Sequence, residues 1–138
     1  MTAPLLSPEL YWLTLTALMT AMMWVPYILQ LIAEMGVFPA LMDRFHDTPL
    51  KAAWAQRAKR AHANAVENLV VFAALVLAVH ASGSGNSLTA LTCQIYFFVR
   101  AAHYVVYVSA LPLVRTLLFV AGVGCQLVLA GVLLGYLR

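Results

Sequence analysis

The charged residues of this chain are concentrated in one segment, and long uncharged stretches lie on either side of it. Nine of the thirteen charged residues fall between positions 34 and 67, whereas the 24 residues 10–33 carry no charge. About 20 apolar residues are enough for a helix to cross the hydrocarbon core of a bilayer. With 64% hydrophobic and 9% charged residues, the composition argues against a soluble, disordered or nucleic-acid-binding domain. The sequence therefore predicts an all-α integral membrane protein.

Turn-forming residues divide the uncharged stretches into four predicted helices, which form a four-helix bundle in one domain, residues 1–138. The serine- and glycine-rich run 82–87 separates the second helix from the third, and Pro112 helps to end the third. The helices are predicted at about 10–33, 49–81, 88–110 and 113–137.

Prolines and glycines refine this prediction. Pro26 is expected to kink the first helix rather than end it, because neighbouring helices can satisfy the freed carbonyl. Thr48 is a suitable N-cap, and Pro49 suits the first position of the second helix, whose first third should project from the bilayer. In the fourth helix, Gly131 and Gly135 have the G-x-x-x-G spacing that allows another helix to approach closely.

The distribution of basic residues predicts the orientation. The turn between helices 2 and 3 has no Lys or Arg, whereas the loop between helices 1 and 2 and the start of helix 2 carry five: Arg44, Lys51, Arg57, Lys59 and Arg60. Because basic loops stay in the cytoplasm, we expect the first loop to be cytoplasmic and both termini to lie outside. The first helix has no basic residue before it and no small-residue cleavage site after it, so it does not read as a cleavable signal peptide.

Ionisable side chains lie within the predicted membrane helices, where they are costly and normally face a partner or a cavity. Glu67 and Arg100 lie at similar depths below the short turn between helices 2 and 3, about 21 and 18 Å at 1.5 Å per residue. We therefore expect them to form an ion pair. Such a pair can serve only to fix helix register, and this alternative stays open for the pair alone.

The polar residues of helices 2, 3 and 4 exceed what one ion pair requires. At 100° per residue they form stripes on one face of each of helices 2 and 3, and they predict a polar cleft that opens toward the cytoplasm. A small, anionic, amide-rich ligand would complement this cleft. No metal site is expected, because His46, His62 and His80 are scattered along the chain. The cleft residues are Arg60, Asn64, Glu67, Arg100, His103, Tyr107 and Arg115.

Two motifs within these stripes resemble the MAPEG family, the membrane-associated proteins in eicosanoid and glutathione metabolism. They are Arg60-Ala-His-Ala-Asn64-Ala-Val-Glu67 on helix 2 and Arg100-Ala-Ala-His103-Tyr-Val-Val-Tyr107 on helix 3. An arginine also follows Pro112, and the chain is most similar to the short bacterial members. The resemblance implies a homotrimer of four-helix subunits, in a bacterial cytoplasmic membrane, with glutathione held between neighbouring subunits near the cytoplasmic face.

The resemblance also implies roles for the cleft residues. Arg115 resembles the arginine that stabilises the glutathione thiolate, and Tyr107 could donate a hydrogen bond to the thiolate or the leaving group. Five residues match glutathione-binding positions: Arg60, Asn64, Glu67, Arg100 and His103. The expected enzyme is a glutathione-dependent transferase or peroxidase-like protein acting on a small lipophilic electrophile from the bilayer.

Other interpretations of the sequence stay open. Ala63 and Phe119 stand where some eicosanoid-forming members carry arginine and tyrosine, so eicosanoid synthesis itself is not expected, and another thiol could replace glutathione. A non-catalytic protein of the same fold could bind a lipid or a partner helix. A small transporter could use Glu67 as a proton relay, although four short helices leave little room for an alternating pathway.

Overall fold

The computed structural model describes residues 6–43 and 48–138, and all regular structure within these ranges is helical. This confirms the all-α prediction for the described residues. Arg44 and His46, on which the sequence argument drew, lie outside them. The helices are α1 (Pro8–Met22), α2 (Val25–Met35), α3 (Val37–Met42), α4 (Ala53–Ala81), α5 (Ser87–Val108) and α6 (Pro112–Leu133).

Three helical segments are long and apolar enough to cross a membrane: Pro8–Met35, Ala53–Ala81 and Pro112–Leu133. α1 and α2 together make up the first segment. Large apolar side chains are exposed along all three, and Leu18, for example, is 58% exposed. α5 has 22 residues, but polar residues such as Arg100 lower its hydropathy. The exposed apolar surfaces suit contact with lipid rather than water.

The first predicted helix is divided near Pro26. α1 ends at Met22, a turn follows at Met23, and α2 begins with Pro26 in its first turn. A proline is tolerated there because its missing N–H would have no helical partner. The Tyr104 hydroxyl of α5 donates to the Met23 carbonyl over 3.0 Å. The expected kink is therefore a break between two helices, and a neighbouring helix satisfies a carbonyl at the break.

The second predicted helix begins at Ala53 rather than Pro49. Ala52 is extended, with φ −70° and ψ 118°, and offers no side-chain cap. Instead, the Glu34 carboxylate of α2 accepts the N–H groups of Lys51 and Ala52 at 2.8 and 2.9 Å. A carboxylate at this end of α4 complements the partial positive charge of the helix N-terminus. Because Glu34 is remote in sequence, local capping rules place the start too early.

Two tight turns set the relative positions of α4, α5 and α6. At the first, α5 starts with a capping box in which Asn86 and Thr89 each accept the other's backbone N–H. At the second, Ala110 has a left-handed φ of 61°, and the Leu111 N–H reaches the Val106 carbonyl at 3.2 Å. Pro112 then opens α6. The chain thus reverses within a few residues, and the start of α6 lies beside the end of α5.

α5 lies at the centre of the packing and contacts α1, α4 and α6. Tyr96 of α5 stacks on Phe72 of α4, with ring centroids 3.8 Å apart and an interplanar angle of 12°. Leu129 of α6 completes this cluster and is fully buried. The central position of α5 explains why its polar side chains face other helices rather than lipid.

The fourth predicted helix is shorter than expected, since α6 ends at Leu133 rather than near 137. Gly135 has a φ of 77°, and the Tyr136 N–H reaches the Gly131 carbonyl at 2.8 Å, which is a common helix-ending motif. Leu137 folds back so that its Cδ1 lies 2.8 Å from where a Gly131 Cβ would be. Within the subunit, Gly135 therefore ends the helix and Gly131 is covered by Leu137, so this pair of glycines does not form a contact surface for another helix.

Candidate functional site

Three helices converge on a polar cavity of about 220 Å³. α4 contributes one lining residue, α5 contributes two and α6 contributes three. Sequence analysis predicted four of the six as cleft residues. Of the other two, Phe119 was noted only as a difference from some family members, and Thr116 was not noted. The full lining is Asn64, His103, Tyr107, Arg115, Thr116 and Phe119.

Helical spacing brings these side chains to one place. His103 and Tyr107 are four residues apart on α5, so they share one face of the helix. Arg115 lies in the first turn of α6 and Phe119 lies one turn further on. The tight turn at Ala110 brings this end of α6 next to Tyr107. Cavity residues from α5 and α6 are therefore neighbours at one end of the subunit.

The wall between α4 and α5 is held by a charged hydrogen bond. The Arg100 Nη2 atom donates to the Asn64 Oδ1 atom over 2.9 Å, and Arg100 is only 3% exposed. A buried guanidinium requires such partners because its desolvation is costly. The bond also fixes which way the Asn64 amide faces at the cavity wall.

The Tyr107 ring lies between a histidine and an arginine. The Arg115 Cζ atom is 4.9 Å from the centroid of this ring, which is a cation–π contact. The His103 ring meets the same ring edge-on at 5.7 Å and lies 6.3 Å from Phe119. Within residues 6–43 and 48–138, no side chain or carbonyl is hydrogen bonded to the Arg115 guanidinium or the Tyr107 hydroxyl. Both groups are therefore available to a ligand in the cavity.

Arg57 is a supporting residue that the sequence did not assign to the site. Its Nε atom donates to the Val108 carbonyl over 2.7 Å, at the last residue of α5. The positive charge of Arg57 also interacts favourably with the partial negative charge at the C-terminal end of α5. Arg57 thereby ties α4 to the turn that carries α6 and Arg115. The only signal in the sequence was its position three residues before Arg60, which puts the two arginines on neighbouring faces of α4.

Two predicted site residues lie away from this cavity in the subunit. Arg60 is exposed and lines a different cavity of about 480 Å³ beside Leu50 and Lys59. Glu67 is also exposed, and it lines none of the described cavities.

The predicted ion pair between Glu67 and Arg100 is wrong for the described subunit, because Arg100 binds Asn64 instead. Counting residues from the short turn assumed equal and parallel paths along both helices. The observed partner of Arg100, Asn64, lies three residues before the predicted partner, Glu67. Along α4 this is nearly one turn, about 4.5 Å at 1.5 Å per residue. The three-residue step also rotates Glu67 by about 60° away from the face that carries Asn64.

Comparison with known proteins identifies a family for this chain. The sequence model of the MAPEG family matches residues 9–135, nearly the whole chain. The chain belongs to the MAPEG family. The match covers the six helices except Pro8, and it accounts for the apolar spans, since MAPEG proteins are membrane-bound. The comparisons with curated proteins and with solved structures found no match.

Proposed function

We propose that this MAPEG protein is a glutathione-dependent transferase or peroxidase-like enzyme acting on lipophilic electrophiles. The observation that supports this most directly is the Arg115 guanidinium, which borders a polar cavity without an ion-pair partner in the described chain. A guanidinium in a poorly hydrated cleft favours the thiolate form of a bound thiol, and the thiolate is the nucleophile. Free thiols have a pKa of about 8.5, so this shift would increase the reactive fraction near neutral pH.

The residues around Arg115 suit the reaction that follows. In a transfer, the thiolate sulfur forms a bond to the electrophilic carbon, the leaving group departs with the bonding electrons, and the thiol proton goes to solvent. With a peroxide, the thiolate sulfur bonds to one oxygen and becomes a sulfenic acid, while the O–O bond breaks and the other oxygen leaves with the bonding electrons and takes a proton from solvent to give an alcohol. A second glutathione thiol then attacks the sulfenic acid, giving the disulfide and water. The Tyr107 hydroxyl could donate a hydrogen bond to either leaving group. Asn64, held by Arg100, and His103 offer polar contacts for the peptide part of glutathione.

Two observations support a homotrimer with sites shared between subunits. A cavity of about 220 Å³ is smaller than the roughly 300–1,000 Å³ of most small-molecule sites. Glu67 is exposed on a membrane-crossing helix, and a carboxylate facing lipid is costly. A neighbouring subunit would cover Glu67 and enlarge the cleft, and it would place Arg60 and Glu67 within reach of glutathione.

The proposed orientation puts the cavity on the side where glutathione is available. With the basic first loop in the cytoplasm and both termini outside, the third crossing ends near Tyr107 and the fourth begins near Arg115, so both residues lie in the cytoplasmic half of a bacterial membrane. The electrophile would enter from the bilayer between helices.

Purified protein tests this proposal through glutathione binding and conjugation of a generic electrophile such as a chlorinated nitrobenzene. The enzyme interpretation expects turnover in the wild type and loss of turnover in Arg115→Ala, with the trimer intact. Arg138→Ala is the matched control, because Arg138 is an exposed arginine beyond the other end of α6. If the wild type neither binds glutathione nor conjugates the electrophile, the proposal fails. A non-catalytic membrane protein of the same fold is then the better description.

A further inference from the structure

A second cavity, of about 550 Å³, lies at the opposite end of the subunit. Along α5, Thr89 and Tyr107 mark the two ends, and 18 residues of helix separate them by about 27 Å. The start of α1, the end of α4 and the start of α5 surround this second cavity. It is thus independent of the proposed glutathione site. Its lining includes Ser7, Glu9, His80, Gly85, Asn86 and Ser87.

This cavity contains a buried carboxylate without a cationic partner. Glu9 is 5% exposed, and its Oε1 atom accepts a hydrogen bond from the Thr89 hydroxyl at 2.6 Å. Across residues 6–43 and 48–138, no other donor reaches the carboxylate and no Lys, Arg or His pairs with it. A carboxylate can accept about four hydrogen bonds, and buried charges are normally paired. Glu9 is therefore an incompletely satisfied anion at a cavity wall.

The surrounding backbone holds the carboxylate in place. Asn86 and Thr89 form the capping box of α5, so the hydroxyl that binds Glu9 is itself positioned by the helix start. A Cβ at Gly85 would lie 3.0 Å from the Glu9 Oε1 atom. A residue with a side chain at position 85 would therefore crowd the carboxylate.

Helix dipoles offset the charge of Glu9 only in part. Glu9 lies in the first turn of α1, so the N-termini of α1 and α5 each bring about half a positive charge toward it, whereas the C-terminus of α4, at Val79 and His80, brings about half a negative charge to the same cavity. Together they amount to about half a positive charge, which is less than the full charge of an ionised carboxylate. The cavity therefore keeps a net negative field, which attracts a cation.

The donor set favours an organic cation over a metal ion. No group of three or more His, Cys, Asp or Glu side chains that could hold a metal occurs in the described parts of the chain. A primary ammonium has three N–H donors, which match one carboxylate and neighbouring hydroxyl oxygens such as those of Ser7 and Ser87. The cavity lies where α1 and α5 begin and α4 ends, and the ends of membrane-crossing helices lie close to the lipid headgroups.

We propose that the Glu9 cavity binds a primary ammonium group at the membrane surface, supplied by an aminophospholipid headgroup or by a soluble amine. The test compares phosphatidylethanolamine with phosphatidylcholine, whose fully methylated ammonium cannot donate hydrogen bonds. Native mass spectrometry of the detergent-purified protein measures retention of each lipid. We expect roughly tenfold stronger retention of phosphatidylethanolamine, in line with one charge-assisted hydrogen bond.

Variants locate the effect. Glu9→Gln should abolish the preference, and Gly85→Ala should weaken it while keeping the charge. Gly124→Ala is the matched control, since a Cβ there meets nothing within 4 Å. Competition by ethanolamine would show that free amines also enter, whereas its failure to compete would assign the site to lipid. Equal retention of both lipids, or a preference that survives in Glu9→Gln, would overturn the proposal and leave Glu9 a hydrated carboxylate.

Discussion

The hydrogen bond between Arg100 and Asn64 can be tested by replacing Asn64 with leucine, which has a similar size but no amide. Arg100 is 3% exposed and its Nη2 atom lies 2.9 Å from the Asn64 Oδ1 atom. A hydrogen bond to a charged group typically contributes about 1.5–3 kcal/mol, and leaving a buried charged donor without its partner costs more than leaving a neutral one. We therefore expect a loss of about 3 kcal/mol, a change of roughly a hundredfold in the unfolding equilibrium.

The assay is equilibrium unfolding in detergent micelles, followed by circular dichroism. Asn68→Leu is the matched control, because the Asn68 side chain binds only the Asn64 carbonyl of its own helix, at 2.9 Å. It should lose no more than about 1 kcal/mol. The double variant Asn64→Leu, Arg100→Met should recover much of the loss, because it removes both members of the pair. Equal effects of the two leucine variants, with no coupling in the double-mutant cycle, would refute the reasoning.

Three further substitutions test the backbone features that shape the fold. Glu34→Gln should weaken the remote cap of α4, so the amides of Lys51 and Ala52 should exchange hydrogen faster, and unchanged exchange would contradict the capping role. Ala110→Gly should increase the free energy of unfolding by about 1 kcal/mol and so raise the melting temperature, because alanine is strained at a φ of 61°. Gly135→Ala should lower stability by a similar amount, since its φ is 77°. If stability changed in the same direction in Ala110→Gly and Gly135→Ala, the left-handed backbone conformation at one of the two positions would be contradicted.

The membrane helices were predictable from the sequence, and the details between them were not. Charge-free stretches near 20 residues predict the spans because a bilayer requires that length. The break near Pro26 depends on Tyr104, which lies on another helix. The start of α4 depends likewise on Glu34, across the first loop. Contacts of this kind depend on tertiary packing, which local sequence rules do not contain.

The candidate site shows the same division. Periodicity on α5 placed His103 and Tyr107 on one face, and the motif led to Asn64 and Arg115. Residue counting, however, paired Arg100 with Glu67, because it could not include helix tilt or the differing ends of the two helices. Arg57 was missed as a positioning residue because it acts on a backbone carbonyl.

The most direct test of the proposed chemistry is the pH titration of the thiol of glutathione bound to the protein, followed by the ultraviolet absorbance of the thiolate. Our account predicts that the wild type lowers the thiol pKa well below its free value of about 8.5, and that Arg115→Met returns it close to that value. Arg138→Met should leave the lowered pKa unchanged. Identical titration curves for the wild type and Arg115→Met would contradict the claim that Arg115 activates the thiol.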